Sequence, residues 1–321
     1  MNKWIATLLL CFIPTIAFGF KVVSIQHQDL MTYERISNAY FHNLPNKYSH
    51  YLFNAEGDIN RLERYIERIK KDKSVDLILA LGTISGKIAI SKIKNKPIII
   101  SGIAAPGYSG LVKDWKRSGS NYVVIECKDT TYKTLSIFHN AFPFKKLGLI
   151  YLSKAPSHIG THMEALSFCV DKSVNLISSG FENRDRNKKL LEKEAIESNI
   201  KKALSEVVPY VDVLYLNTSN TLLRNIDLIV KMANKYNVLT IGSEIYEDLG
   251  LSVSITSNYS LRGIAAAKYT VQVLERNADI STFPMDIIKD FIIRYNYYSK
   301  KANCPSLTKN FLNRGFEIKI R

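Results

Sequence analysis

Short apolar runs alternate with amphipathic stretches along most of this chain. Leu77 to Leu81 (LILAL) is one such run. It stops at Gly82-Thr83, and a helical spacing follows through Lys87 and Ile90. An apolar run closed by a turn signal reads as a buried strand. Gly at the strand end lets the backbone approach a neighbour closely, and Thr83 or Ser85 can cap the next helix. The same unit recurs. KVVSIQ (Lys21 to Gln26) reads as a strand exiting at His27, with a helix over 30–44. Residues 51–58 read as a strand and turn, with Asp58 capping a helix over 59–73. That helix has apolar positions at 59, 62, 65, 66 and 69, the period of an amphipathic helix. Further strands are expected at 97–103, 122–129, 147–152, 174–180, 211–217, 237–243 and 251–256. Further helices are expected over 130–142, 158–171, 196–208, 222–236 and 261–276, and from Ile280 the pattern is weakest.

Strands alternating with helices imply parallel sheets with helices on both faces. One run ends near Asp129 and a second begins at Leu147, which implies an α/β protein of two lobes. In such sheets the turns after the strand C-termini line a crevice where ligands bind. The length of 321 residues and the 46% apolar content suffice for a sizeable core. There is no Gly-rich dinucleotide fingerprint, no GxxxxGK[ST] phosphate loop, no GxSxG elbow and no close internal repeat. His158 and His162 lie four apart on one expected helix face, but no HExxH pattern surrounds them, and they read as a surface pair rather than zinc ligands. No catalytic constellation, metal site or cofactor motif emerges, so the chain reads as a non-enzyme.

Charge and the chain's start change the picture in part. Lys and Arg number 44 against 29 Asp and Glu, a basic balance. Without an arginine-rich run, zinc-finger spacing or RNA-binding aromatic signature, it reads as a solvated basic surface, with no nucleic-acid partner. Lys3, the apolar stretch Trp4 to Ile16 and Ala17-Phe18-Gly19 form the three parts of a secretory signal peptide, cut after Gly19. No later stretch is long and apolar enough to span a membrane. Beyond the leader stand Cys127, Cys169 and Cys304, an odd number. Cys127 and Cys169 sit in core-like patterns, whereas Cys304 lies in a polar tail.

Several stretches resemble the periplasmic substrate-binding proteins of ABC transporters, in the group that includes tryptophan- and tyrosine-binding members. FNAEGDINRL is similar to that family's NAQGD segment, and VDLILALGTISGKIAIS to its DLIVAIGTPAAQA segment. GIAAPGYSGLVK stands where the family has TDPVGAGLV, and KKLGLIYLSKAPSH resembles KRIGVLYNPSEPN. The stretch from Val211 to Glu244 and SITSNYSLRGIAAAKYTVQVLE also match, in the family's order, so the likeness spans about 21–290. The resemblance implies a two-lobed type I periplasmic binding fold with a ligand cleft between the lobes. It implies lobes of 20–129 plus 251–285 and of 130–250 plus 286–321. It also implies a periplasmic monomer that binds a small polar molecule, an amino acid or related carboxylate, and delivers it to an ABC permease in the inner membrane. Carried over by position, the ligand site comprises His27, Gly82, Thr83, Pro106, Gly107, Ser153, Thr218, Ser219, Asn220, Thr221, Ser243 and Tyr259.

The chain departs from the family at three acids. Ala105, Ser219 and Asn258 stand where an Asp is usual. A buried ammonium needs a paired carboxylate, so these changes weaken the case for an amino acid held through its amine. Asp29 and Glu244 are the acids left near the expected rims. Hydroxyls, amides and helix N-termini remain, which suit a carboxylate or a neutral polar ligand. Thr83 and Ser219 read equally as helix caps or ligand contacts, and His27 as a structural histidine or a contact. Two other roles remain open at this stage: a ligand sensor, or an interaction module of the same fold that no longer serves transport.

Overall fold

In the computed structural model, β3 (Leu77–Leu81) is buried at all five positions, because strands flank it on both sides and helices cover both faces. The structure describes residues 19–185, 190–242, 250–295 and 318–320. β3 is the centre of a five-stranded sheet. Its order is β2 (Ser49–Asn54), β1 (Lys21–Gln26), β3, β4 (Ile98–Ser101), β5 (Tyr122–Ile125), and every pair is parallel. The edge strand β2 is mostly exposed, as an edge allows.

A second sheet has seven strands. In order they are β12 (Ile318–Ile320), β11 (Phe291–Tyr295), β10 (Val253–Ser257), β9 (Leu239–Gly242), β8 (Val213–Leu216), β6 (Lys146–Leu152) and β7 (Asn175–Phe181). Only β10 and β11 pair antiparallel. Each sheet has its own core. The two-lobed α/β architecture expected from the alternating pattern is therefore the one observed.

In the first lobe, α1 (Met31–His42), α2 (Ile59–Lys71), α3 (Thr83–Lys92) and α9 (Tyr259–Arg276) cover the sheet. Asp58 caps α2 as expected, accepting from the Arg61 N–H at 3.1 Å. α9 lies close against α1: an added Cβ on Gly263 would meet the Ile36 carbonyl oxygen at 2.3 Å. Tyr40 and Thr270 hydroxyls join the same two helices at 2.8 Å. In the second lobe, α4 (Thr130–Ala141) and α5 (Pro156–Lys172) pack on one face, and α6 (Lys193–Val207) and α8 (Ile226–Lys235) on the other.

Three places depart from the sequence reading. The helix expected over 222–236 is broken at Asn225 into α7 (Asn220–Arg224) and α8. The Asn225 amide donates to the Thr221 carbonyl at 2.8 Å, a side-chain bond that competes with the helix backbone. The resemblance implies that residues 251–285 belong to the first lobe, yet β10 pairs with β9 and β11 and buries Val253 and Ile255 in the second core. The chain rejoins the first lobe only at α9. β11, in the weakly patterned end, was not expected. Ser243, Glu244, Cys304 and most of the leader lie outside the described residues, whereas Cys127 and Cys169 are buried thiols.

The chain passes between lobes after β5, between Ser257 and Tyr259, and between Ile288 and Phe291. Backbone bonds tie these passages together. The Glu126 N–H donates to the Met285 carbonyl at 3.2 Å, and the Asn258 N–H to the Asp290 carbonyl at 3.1 Å.

Candidate functional site

A cavity of about 510 Å³ lies between the two lobes. Its walls are the turns that follow β1, β3, β4, β6, β7 and β8, together with the starts of α4 and α9. It therefore occupies the place outside the carboxyl ends of the strands where open α/β sheets bind ligands.

The first-lobe wall is organised around Tyr33. Its ring fills the space over two glycines: an added Cβ would meet the Tyr33 hydroxyl at 2.1 Å from Gly82 and its ring at 2.8 Å from Gly102. Gly82 takes φ +87, a conformation an L side chain rarely adopts. Beyond it α3 starts without a side-chain cap, which leaves its first N–H groups without a partner inside the helix, and Thr83 and Ile84 line the cavity there. The His27 imidazole Nε2 bonds the Gly57 carbonyl at 2.9 Å, and burial pushes its pKa down.

At the base of the cavity, Arg262 pairs with Glu126 at 2.9 Å, and both are almost wholly buried. Arg262 also donates to the Ser257 hydroxyl and stacks on Tyr259, 4.5 Å from the ring centroid. The Glu126 carboxylate in turn accepts the Ile103 N–H at 2.8 Å. One ion pair thus joins β5, β4 and α9 where the chain passes between lobes.

The second-lobe wall comes from α4, α5 and the turns after β6, β7 and β8. His158 is buried and lines the cavity. Its Nδ1 accepts the Leu152 N–H at 3.1 Å, and burial pushes its pKa down to about 3, so the ring is neutral. Glu164 is also buried and accepts the Thr131 N–H at 2.8 Å at the start of α4. Burial raises its pKa to about 7. Ser219 caps α7, accepting the Leu222 N–H at 3.4 Å, and Thr221 accepts from the Asn183 amide at 3.0 Å. At the rim, Lys154 pairs with Glu182 at 2.9 Å.

The two walls touch. The Asn220 amide donates to the Asp29 carbonyl at 2.7 Å, across the cleft. On another side, an added Cβ on Gly160 of α5 would meet the Ala105 Cβ at 2.7 Å. Ala105 itself takes φ +47, uncommon for a residue with a side chain.

The structure brings His27, Gly82, Thr83, Thr218, Ser219, Asn220, Thr221 and Tyr259 to the cavity wall. Pro106, Gly107 and Ser153 lie outside it, while their neighbours Ala104, Ala105, Leu152 and Lys154 line it. Ser243 lies outside the described residues. Sequence reasoning missed Tyr33, Thr131, His158, Tyr215 and Arg262 as lining residues. His158 and His162 are not a surface pair: His158 is buried, and only His162, stacked on Tyr151 and bonded to Ser178, lies nearer the surface. The signal was present in part, since His158 follows the strand end at Leu152. Ser219 and Asn258 both cap helices, the latter accepting the Ser260 N–H at 3.0 Å.

Among known proteins, the family described as ABC transporter substrate binding protein matches residues 45–298. The chain belongs to this family. Members of the family bind substrate and are not enzymes. A "Tyrosine-binding protein" of Clostridioides difficile (strain R20291) is 26% identical over 252 residues, 78% of this chain and 68% of the relative. Among solved structures, an ABC domain in complex with L-Trp from Streptococcus pneumonia superposes with a TM-score of 0.74 at 18% identity, covering 91% of this chain and 98% of that one. A conserved domain protein from Vibrio cholerae gives 0.76 at 14% identity, over 94% and 100%. At these identities the two structures speak to the fold alone, and the fold they share is the type I binding-protein fold.

Proposed function

We propose that this chain is the periplasmic solute-binding component of an ABC import system. It binds a small polar molecule, an amino acid or related carboxylate, between its lobes and presents the closed form to a permease in the inner membrane. The observation that carries the reading is the cavity itself, walled by both lobes and spanned by the Asn220 to Asp29 bond. A ligand touching both walls binds the closed arrangement better than the open one, and so shifts the population toward it. The leader over residues 1–19 supports export, and the family match supports the import role.

The test is a thermal-shift screen of the exported chain against amino acids, organic acids, nucleosides and sugars. A ligand that binds only the folded state adds about 2.7 kcal/mol at a hundredfold excess over Kd. A clear rise in Tm from one chemical class is the expected result. A folded protein that no class shifts would sink the transport reading. One feature favours an interaction module instead: Ile159, Met163, Leu166 and Val170 form an exposed apolar stripe along α5, at helical spacing.

A further inference from the structure

The charges around the cavity do not balance, and the group at its most buried wall can only donate. Among the described residues, its lining carries four cationic side chains, Lys87, Lys154, Arg184 and Arg262. Only two carboxylates, Glu182 and Asp185, line it with them. Glu126 sits behind Arg262 and cancels that charge. One positive charge remains in excess, so the lining complements a solute with one negative charge.

His158 gives this charge a direction. Its Nδ1 is occupied as an acceptor by the Leu152 N–H at 3.1 Å. In a neutral imidazole whose Nδ1 accepts, the proton is on Nε2. No protein group among the described residues accepts from that Nε2–H, and the residue lines the cavity. The ring is fixed at the start of α5, 4% exposed, with its depressed pKa holding the neutral tautomer. A buried donor of this kind needs an acceptor, and an ionised one makes the stronger bond.

We propose that His158 is a specificity-determining ligand contact, and that the solute is an organic carboxylate with no ammonium group, its acid end held by the His158 Nε2–H. This rests on the solute-binding reading above. An α-amino acid carries its ammonium beside the carboxylate, and would need a free carboxylate: of the two on the described wall Glu182 is engaged by Lys154 and Asp185 is already engaged as well, while Ser219 and Asn258 cap helices. Tyr33, Ile103, Phe181 and Ile255 on the same wall can pack against an apolar body.

Isothermal titration of the exported chain with two matched sets decides the matter. One set is tyrosine, 3-(4-hydroxyphenyl)propanoate and tyramine. The other is leucine, 4-methylpentanoate and 3-methylbutylamine. In at least one set the carboxylate should bind tenfold or more tighter than the amino acid, and the amine not at all. His158→Asn keeps an acceptor near the Nδ1 position but removes the Nε2–H. It should weaken carboxylate binding at least tenfold while leaving the Tm of the ligand-free protein within about 2 °C. Tighter binding of either amino acid than of its carboxylate would overturn the proposal, as would wild-type affinity in His158→Asn. If neither carboxylate binds but the thermal-shift screen finds a sugar or nucleoside, this inference falls and the solute-binding reading stands. If no class binds in either experiment, both fall.

Discussion

Glu164 is a carboxylate held where a neutral group is favoured. It is 2% exposed, and one oxygen, Oε1, has no hydrogen-bond partner among the described groups. Burial lifts its pKa from 4.5 to about 7, against the Thr131 N–H, which favours the ion. The folded protein therefore binds this proton more tightly than the unfolded chain does. Its contribution is fully present below about pH 4.5 and is lost as pH rises through about 7. By linkage the loss amounts to roughly 3 kcal/mol at most. Urea unfolding of wild type and Glu164→Gln at pH 5 and pH 8 checks this. The variant should be the more stable at pH 8 by about 2 kcal/mol, with the difference shrinking toward pH 5. Equal differences at both values would mean the carboxyl has an ordinary pKa. Single residues of this kind are poorly legible in sequence. His158 and His162 share a spacing and a helix, yet only the turn after β6 buries the first and leaves the second stacked on Tyr151. Arg262 reads as one more basic residue on α9 until Glu126, more than a hundred positions earlier, is placed 2.9 Å away.

Elements are far more legible, because the interior strands are mostly short apolar runs and most helices carry an amphipathic period. β1 and β3 fall on the residues their patterns indicate, since both are interior strands buried on two faces. The pattern fails where a local side-chain bond or a partner strand decides the outcome. Asn225 breaks a continuous helical period into two helices. β11 takes its place by pairing antiparallel with β10, which no local signal announces. The strand-to-helix turn at Gly82 is the element on which the first-lobe wall depends, and a pair of glycines tests it. Gly57 and Gly82 have almost the same backbone angle, φ +86 and +87, but Gly57 has nothing within 4 Å of an added Cβ, whereas Gly82 meets the Tyr33 hydroxyl at 2.1 Å. Gly57→Ala should cost about 1 kcal/mol, the backbone penalty alone. Gly82→Ala should cost more, about 2–3 kcal/mol with displacement of Tyr33 added, and should also weaken ligand binding. Chemical denaturation of the two variants separates these contributions, and equal losses would show that Tyr33 gives way freely.

At the scale of the whole molecule, what matters is how two separately packed lobes are allowed to meet. The three passages between lobes hold one end of the cleft together through Glu126, Asn258 and their bonded partners. At the other side the approach is limited by α5, where Gly160 lies against Ala105 and Tyr108 of the first lobe. Gly160 is inside a helix and is not itself among the residues that line the cavity. Leu is also the better helix former, by up to about 1 kcal/mol over Gly. Gly160→Leu should therefore keep or slightly raise the Tm of the ligand-free protein. Its side chain cannot fit with an added Cβ already 2.7 Å from the Ala105 Cβ and 3.1 Å from that of Tyr108, so the lobes must stand apart. Apparent affinity scales with the fraction of molecules able to close, and a tenfold loss of the closed form is a tenfold loss in binding. Small-angle scattering should give a larger radius of gyration for the variant in the presence of ligand, and titration should give a Kd at least tenfold higher. A variant that binds as tightly as wild type, at the same radius, would show that closure does not pass through this contact.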